Sequence, residues 1–158
     1  MTDGPAARLQ ALGLSLPPPF SPVATYEPLT QAGGVVRVSG QGPVWGTDIR
    51  YKGKVGRDLS ATDAGEAARL TMLNILSHLD RACGLGRIAR PLSIFGLVNT
   101  DPAFADLGAV IDPASDLLMT LFGADQPHTR TVVAASALPF DIAVEIDGAF
   151  QLRPDGDR

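Results

Sequence analysis

Arg130 and Glu145 stand out in HTRTVVAASALPFDIAVEIDGAF at residues 128–150, a stretch that reads largely as two apolar strands. An arginine stays ionised and offers a planar fork that fits a carboxylate bidentately, while a nearby glutamate can hold or activate a water. Brought close together, the pair would suit a small 2-oxo or 2-imino acid. The competing reading is a salt-bridged or solvated sheet face. The small side chains of Val132, Ala134 and Ser136 alternate along the strand from Arg130 and leave space beside it.

The stretch reads as two strands around a Leu138–Pro139 turn, expected to pair as a hairpin. A loop with an even number of residues would put Arg130 and Glu145 on one face. With Ala137–Phe140 as the loop, Glu145 stands opposite Val132 and about 7 Å from Arg130, given a rise of about 3.3 Å per residue. An odd loop would separate them. His128 shares the Arg130 face and is either a further contact to the ligand or a rim histidine.

The elements that must carry these residues follow from periodicity and breakers. Residues 5–13 predict a short helix with Leu9 and Leu12 inward, and LPPPFSP then breaks regular structure, so residues 1–23 form a leader. Strands are expected at 25–29 and 35–39, reversing through TQAGG, with a third at 49–52. Ser60 and Asp63 match a helix-start signature, and Met72, Ile75, Leu76, Leu79 and Cys83 at three- and four-residue spacing predict a helix over 61–83. Glu66, Arg69, Ser77 and Arg81 fall on its outer side. Residues 88–99 read as extended, and 112–123 as a second helix closed by Gly123. This order predicts an α+β fold, a mixed sheet with two helices packed on one face, as one domain over 1–152 with a flexible tail at 153–158.

With 158 residues, 45% of them hydrophobic, the chain is long enough for one sizeable core. A net charge of -4 disfavours a broad nucleic-acid surface, and no apolar run approaches the roughly 20 residues of a membrane helix. One cysteine, no clustered metal ligands and no secretory pattern at the start lead to the expectation of a cytoplasmic protein without a metal. Cys83 and His78 read as packed or structural. Trp45 either closes over a cleft or anchors its loop. The glycines at 40, 42 and 46 make no nucleotide loop, since neither GxGxxG nor GK[ST] is present.

An ordered set of stretches resembles the RidA family, also called YjgF or L-PSP. They are YEPLTQAGGVVRVSGQGP from Tyr26, GKVGRDLS from Gly53, LNILSHL in the long helix, GLVNTDPAF, SDLLMTLFG from Ser115, and HTRTVVAASALPFDIAVEID from His128. The leader and the HTR form of the arginine motif mark a divergent branch. The resemblance implies a chorismate-mutase-like fold, homotrimers with ligand clefts between subunits, and no organic cofactor or metal.

It also implies hydrolysis of reactive enamines and imines, 2-imino acids among them, to 2-oxo acids and ammonia. The family's carboxylate-binding arginine falls on Arg130 and its glutamate beside the catalytic water on Glu145. The cleft aromatic falls on Tyr26, and a serine-glycine pair on Ser39 and Gly40. Two positions depart from the usual pattern: Val132 stands in place of a cysteine and Ser115 in place of an asparagine. The alternatives are a non-catalytic module that binds small carboxylates, a ribonuclease (the L-PSP label), and a chorismate-mutase-like activity suggested by fold alone. The acidic balance disfavours the ribonuclease, because polyphosphate substrates usually meet clustered Lys and Arg.

Overall fold

The computed structural model describes residues 4–21 and 24–154. Among these residues the chain forms α1 (Pro5–Ala11), β1 (Leu29–Ala32), β2 (Val35–Gln41), β3 (Val44–Trp45), β4 (Asp48–Ile49), α2 (Ala61–Cys83), β5 (Ile88–Asn99), α3 (Leu107–Phe122), β6 (Thr129–Ala135) and β7 (Val144–Leu152). The fold is α+β. A mixed five-stranded sheet runs in the order β1-β2-β7-β5-β6, and β3 and β4 form a separate two-stranded ribbon.

Helix α2 matches its predicted bounds because its start is fully specified. The Ser60 side chain accepts from the Asp63 N–H, and the Asp63 carboxylate accepts from the Ser60 N–H. Its outer side differs from expectation. Ser77 is buried and donates to the Pro17 carbonyl at 2.6 Å. The proline-rich leader therefore covers a helix face that the sequence marks as polar, and the hydroxyl is retained because it satisfies a backbone oxygen.

Helix α3 begins at Leu107, five residues before the expected start, with the Asp106 side chain accepting from the Ala109 N–H. Pro113 lies inside it. Proline in a helix interior removes one backbone donor and usually marks a start, which is why the sequence favours a later beginning. In α1, Leu9 is buried as expected, whereas Leu12 is exposed because the helix ends at Ala11.

The strands β1 and β2 form the predicted hairpin, but β1 lies later than expected, at Leu29–Ala32 rather than 25–29. Gly33 and Gly34 both take positive φ, 55° and 78°, in the two-residue turn that such a tight reversal requires. The expected strand at 49–52 is instead the second arm of the β3–β4 ribbon, and beyond it Tyr51 turns with φ 54°.

The largest departure concerns β6 and β7, which are not neighbours. β5 lies between them, pairing parallel with β6 and antiparallel with β7. The residue opposite Val132 is Gly96, not Glu145. A direct hairpin would have left the long apolar strand β5 at an edge; placing it between two partners satisfies its backbone groups on both sides.

One face of the sheet carries Val36, Val38, Ile94, Val98, Val144, Ile146 and Phe150 against Met72, Ile75, Leu76 and Leu79 of α2 and Ile111, Leu118 and Leu121 of α3. Gly96 lets Ile111 pack closely there, since a Cβ would stand 3.0 Å from its side chain. The opposite face, with Phe95, Leu97, Glu145 and Asp147, has no helix over it and is half-buried. Arg153 N–H donates to the Arg87 carbonyl, and the expectation of a tail at 155–158 lies outside the described residues, as do leader residues 1–3 and 22–23.

Candidate functional site

The expected site residues fall into two clusters. The first lies where α3 crosses the edge strand β6. Arg130 pairs with Ile94 across the ladder and so points to the helix side of the sheet. One guanidinium nitrogen, Nη1, donates to Asp112 Oδ1 at 2.8 Å and to Ser115 Oγ at 3.2 Å. Asp112 and Ser115, three residues apart, share one face of α3. His128 Nε2 lies 3.0 Å from the same Ser115 oxygen. Burial, with Arg130 adding to it, pushes the His128 pKa below its ordinary value and so favours the neutral ring. Val132 shares this sheet face and packs against the core.

The second cluster lies at the end of the sheet where β2 leaves and β7 begins. A cavity of about 120 Å³ is lined by Phe20, Tyr26, the Gly40–Gly42 backbone, Val44, Ile49, Asn74, Pro139, Phe140, Ile142 and Glu145. Gly40 is there for closeness. A Cβ would overlap Glu145 Oε1 and stand 2.9 Å from Cδ, so glycine lets the strand pass beside the carboxylate without displacing it. Ser39 lies on the adjoining hollow with Asp147 and Arg37, and its N–H donates to the Pro28 carbonyl.

Glu145 pairs with Leu97 and therefore points to the open face, away from Arg130. Burial, with the nearby Asp147 adding to it, raises its pKa above the ordinary glutamate value. Among the described residues no lysine or arginine lines the cavity to offset that rise. A half-buried carboxylate with raised basicity, open to a cavity, is the arrangement a general base or water-holding group needs.

Arg130 and Glu145 are thus not brought together within one chain. Two strand spacings and three residues of rise separate their backbones by about 14 Å, and their side chains leave opposite faces. The expected 7 Å separation fails because it assumed a hairpin.

The other sequence candidates, Cys83, His78 and Trp45, lie outside both clusters. Cys83 Sγ donates to the Leu79 carbonyl, and burial pushes its thiol pKa up, which removes thiolate character. His78 is buried in α2, and burial lowers its pKa. Trp45 lies under Arg50, with the guanidinium 5.6 Å from the ring centroid, and so anchors the ribbon. No group of three or more potential metal ligands exists among the described residues.

Sequence reasoning missed Asp112 because α3 was started there rather than five residues earlier. It also missed Phe20 and Phe140, whose approach to the cavity depends on chain segments distant in sequence.

The family profile described as "YjgF/chorismate mutase-like, putative endoribonuclease" matches residues 6–146. The chain belongs to this family. Among YjgF-family and other relatives, Protein TCP17 of Trypanosoma cruzi is 35% identical over 149 residues, covering 93% of both chains. The crystal structure of Atu1372 from Agrobacterium tumefaciens, a protein of unknown function, is 36% identical with a TM-score of 0.87, over 94% of this chain and 92% of that one. A protein of Shewanella oneidensis described as a putative endoribonuclease is 30% identical with a TM-score of 0.91, over 95% of this chain and 100% of that one. The mixed sheet and its helix layer are the YjgF-family fold.

No helix among the described residues is long and apolar enough to cross a membrane.

Proposed function

We propose that the protein is an imine or enamine deaminase that hydrolyses 2-imino acids to 2-oxo acids and ammonia in a cleft between two copies of the chain. The observation that carries this reading is the separation of Arg130 from Glu145 onto opposite sheet faces, Arg130 beside Ser115 and Glu145 on a cavity. Half-sites on different surfaces make sense if the cleft forms where the α3–β6 edge of one copy meets the cavity end of the next, as in a cyclic homotrimer. Phe95, Leu97 and the exposed Val133 give the open face apolar contact area for such an assembly.

In this reading the Arg130 fork binds the substrate carboxylate, with Ser115 and His128 fixing the guanidinium. Glu145 takes a proton from a water as its oxygen attacks the imine carbon. That proton passes to the imine nitrogen to give a carbinolamine, and Glu145 then carries the hydroxyl proton to the amine, so that the C–N bond breaks, ammonia leaves and the carbonyl forms. Tyr26 and Gly40 shape the cleft beside Glu145. The chemistry needs a carboxylate and a clamp and no thiol, so Val132 is compatible with it.

An interception assay tests this. An amino-acid oxidase generates 2-imino acids, and the protein's acceleration of their hydrolysis is compared with that of Arg130→Ala. Hydrolysis by wild type alone supports the reading. Background rates across several side chains from a folded oligomer would leave a carboxylate-binding module without turnover. That second reading is favoured by Asp112, which already occupies part of the Arg130 fork, and by Ser115, which has one hydrogen-bonding atom where an amide has two. The ribonuclease description attached to the family is less favoured, because among the described residues no cationic side chain lines the cavity to meet a phosphate.

A further inference from the structure

The segment at the cavity mouth, Pro139–Asp141, contains two consecutive non-glycine residues in the left-handed region, Phe140 (φ 57°, ψ 17°) and Asp141 (φ 56°). A bulky aromatic residue rarely adopts this conformation, and it persists only where surrounding contacts enforce it.

Those contacts form a polar clamp. Asn99, fully buried in β5, donates to Asp141 Oδ1 at 3.1 Å and to the Ile142 carbonyl at 3.2 Å. Lys54 Nζ donates to Asn99 Oδ1 at 2.7 Å and to the Ser136 carbonyl at 2.6 Å, and Gly53 N–H donates to the Asp141 carbonyl at 2.7 Å. The clamped turn does not hide the Phe140 ring. Phe140 as a whole remains 54% exposed, on a cavity also lined by Tyr26 at 53%.

A fold selected for stability alone would bury that ring or place glycine or asparagine at this position. We infer that Phe140 is a specificity-determining residue which, with Tyr26 and Phe20, receives the apolar side chain of a branched-chain or aromatic 2-imino acid beside Glu145. This rests on the reading under Proposed function and names the substrate class of that same site. The cavity of about 120 Å³ approaches the apolar cavities of about 150 Å³ that accept a benzene ring. Val44, Ile49 and Ile142 give it apolar walls, whereas a substrate methyl group would leave most of it unfilled.

The 2-oxo acid products test this without turnover. Calorimetric titration of the full chain with pyruvate, 4-methyl-2-oxopentanoate and phenylpyruvate is compared for wild type, Phe140→Asn and Arg130→Ala. Each buried CH₂ is worth about fourfold in affinity, so the three additional carbons of 4-methyl-2-oxopentanoate predict at least about tenfold tighter binding than pyruvate. Asparagine tolerates the left-handed conformation, so Phe140→Asn is expected to lower the affinity ratio to less than about threefold while Tm stays level or rises. A purely structural Phe140 would leave the ratio intact, and that result overturns the inference. Binding of pyruvate that depends on Arg130 but shows no preference for size overturns this inference alone. Failure of all three acids to bind overturns it together with the carboxylate site itself.

Discussion

Arg130 and Glu145 project from opposite faces of one sheet, on strands β6 and β7 with β5 between them. Two groups so placed act on one substrate only if two copies of the chain contribute one each. Coexpression of Arg130→Ala with Glu145→Gln in equal amounts is therefore expected to restore activity that neither variant has alone. Random assembly leaves about one quarter of the interfaces with both native groups. A mixture as inactive as its components would place both groups in one chain's site or remove them from the chemistry. Light scattering on the eluting protein checks the assembly independently, and the expected species is a trimer.

Arg130→Ala is expected to abolish carboxylate binding with little effect on folding. Its partner Asp112 is 56% exposed in side-chain area, and ion pairs of this kind contribute about 0–1 kcal/mol. Chemical denaturation should show a loss within that range, and titration with a 2-oxo acid should show no binding.

Asp112→Asn tests whether that carboxylate competes with the ligand. Removing a competing charge worth up to about 1 kcal/mol should tighten ligand binding by up to about fivefold. Weaker binding would show that Asp112 orients the guanidinium instead.

The pH dependence of Glu145 has a definite sign. Its pKa in the folded chain lies above the unfolded value of about 4.3, so the folded state holds the proton more tightly. That contribution is fully present below about pH 4.3 and is lost as pH rises through the folded pKa. Glu145→Gln, neutral throughout, should therefore melt higher than wild type at pH 7, with the gap closing in acid. The catalytic effect runs the other way. Wild-type hydrolysis should rise with pH to a midpoint above the ordinary glutamate value, and the glutamine variant should be inactive. A variant that melts lower at neutral pH would contradict the burial account.

Gly40→Ala should impair activity more than stability. The added Cβ collides with the far end of the Glu145 side chain rather than with backbone, so the carboxylate can swing aside and the strand can hold. Melting should change little while hydrolysis falls by at least about tenfold, since a displacement near 1 Å is enough to disrupt positioning. Equal losses of both would show that the strand itself moved.

The sequence by itself determined the elements whose signals are local. Helix α2 follows from a Ser60–Asp63 cap and one apolar period, and the β1–β2 reversal follows from Gly33 and Gly34. β5 shows as a continuous extended run, and the ordered motifs carried family and fold class. The residue types at 130 and 145 also raised the reading of a carboxylate clamp and a base beside that of a salt-bridged sheet face. Strand order was not legible, because alternation along β6 and β7 is the same whether they pair with each other or with β5. Only the tertiary structure decided that Arg130 faces α3 and Glu145 the open side, that Asp112 sits on the arginine fork, and that a left-handed Phe140 reaches a cavity also lined by Phe20 from the leader. Each of these depends on contacts between segments far apart in the chain, where side-chain facing is set by packing rather than by local sequence.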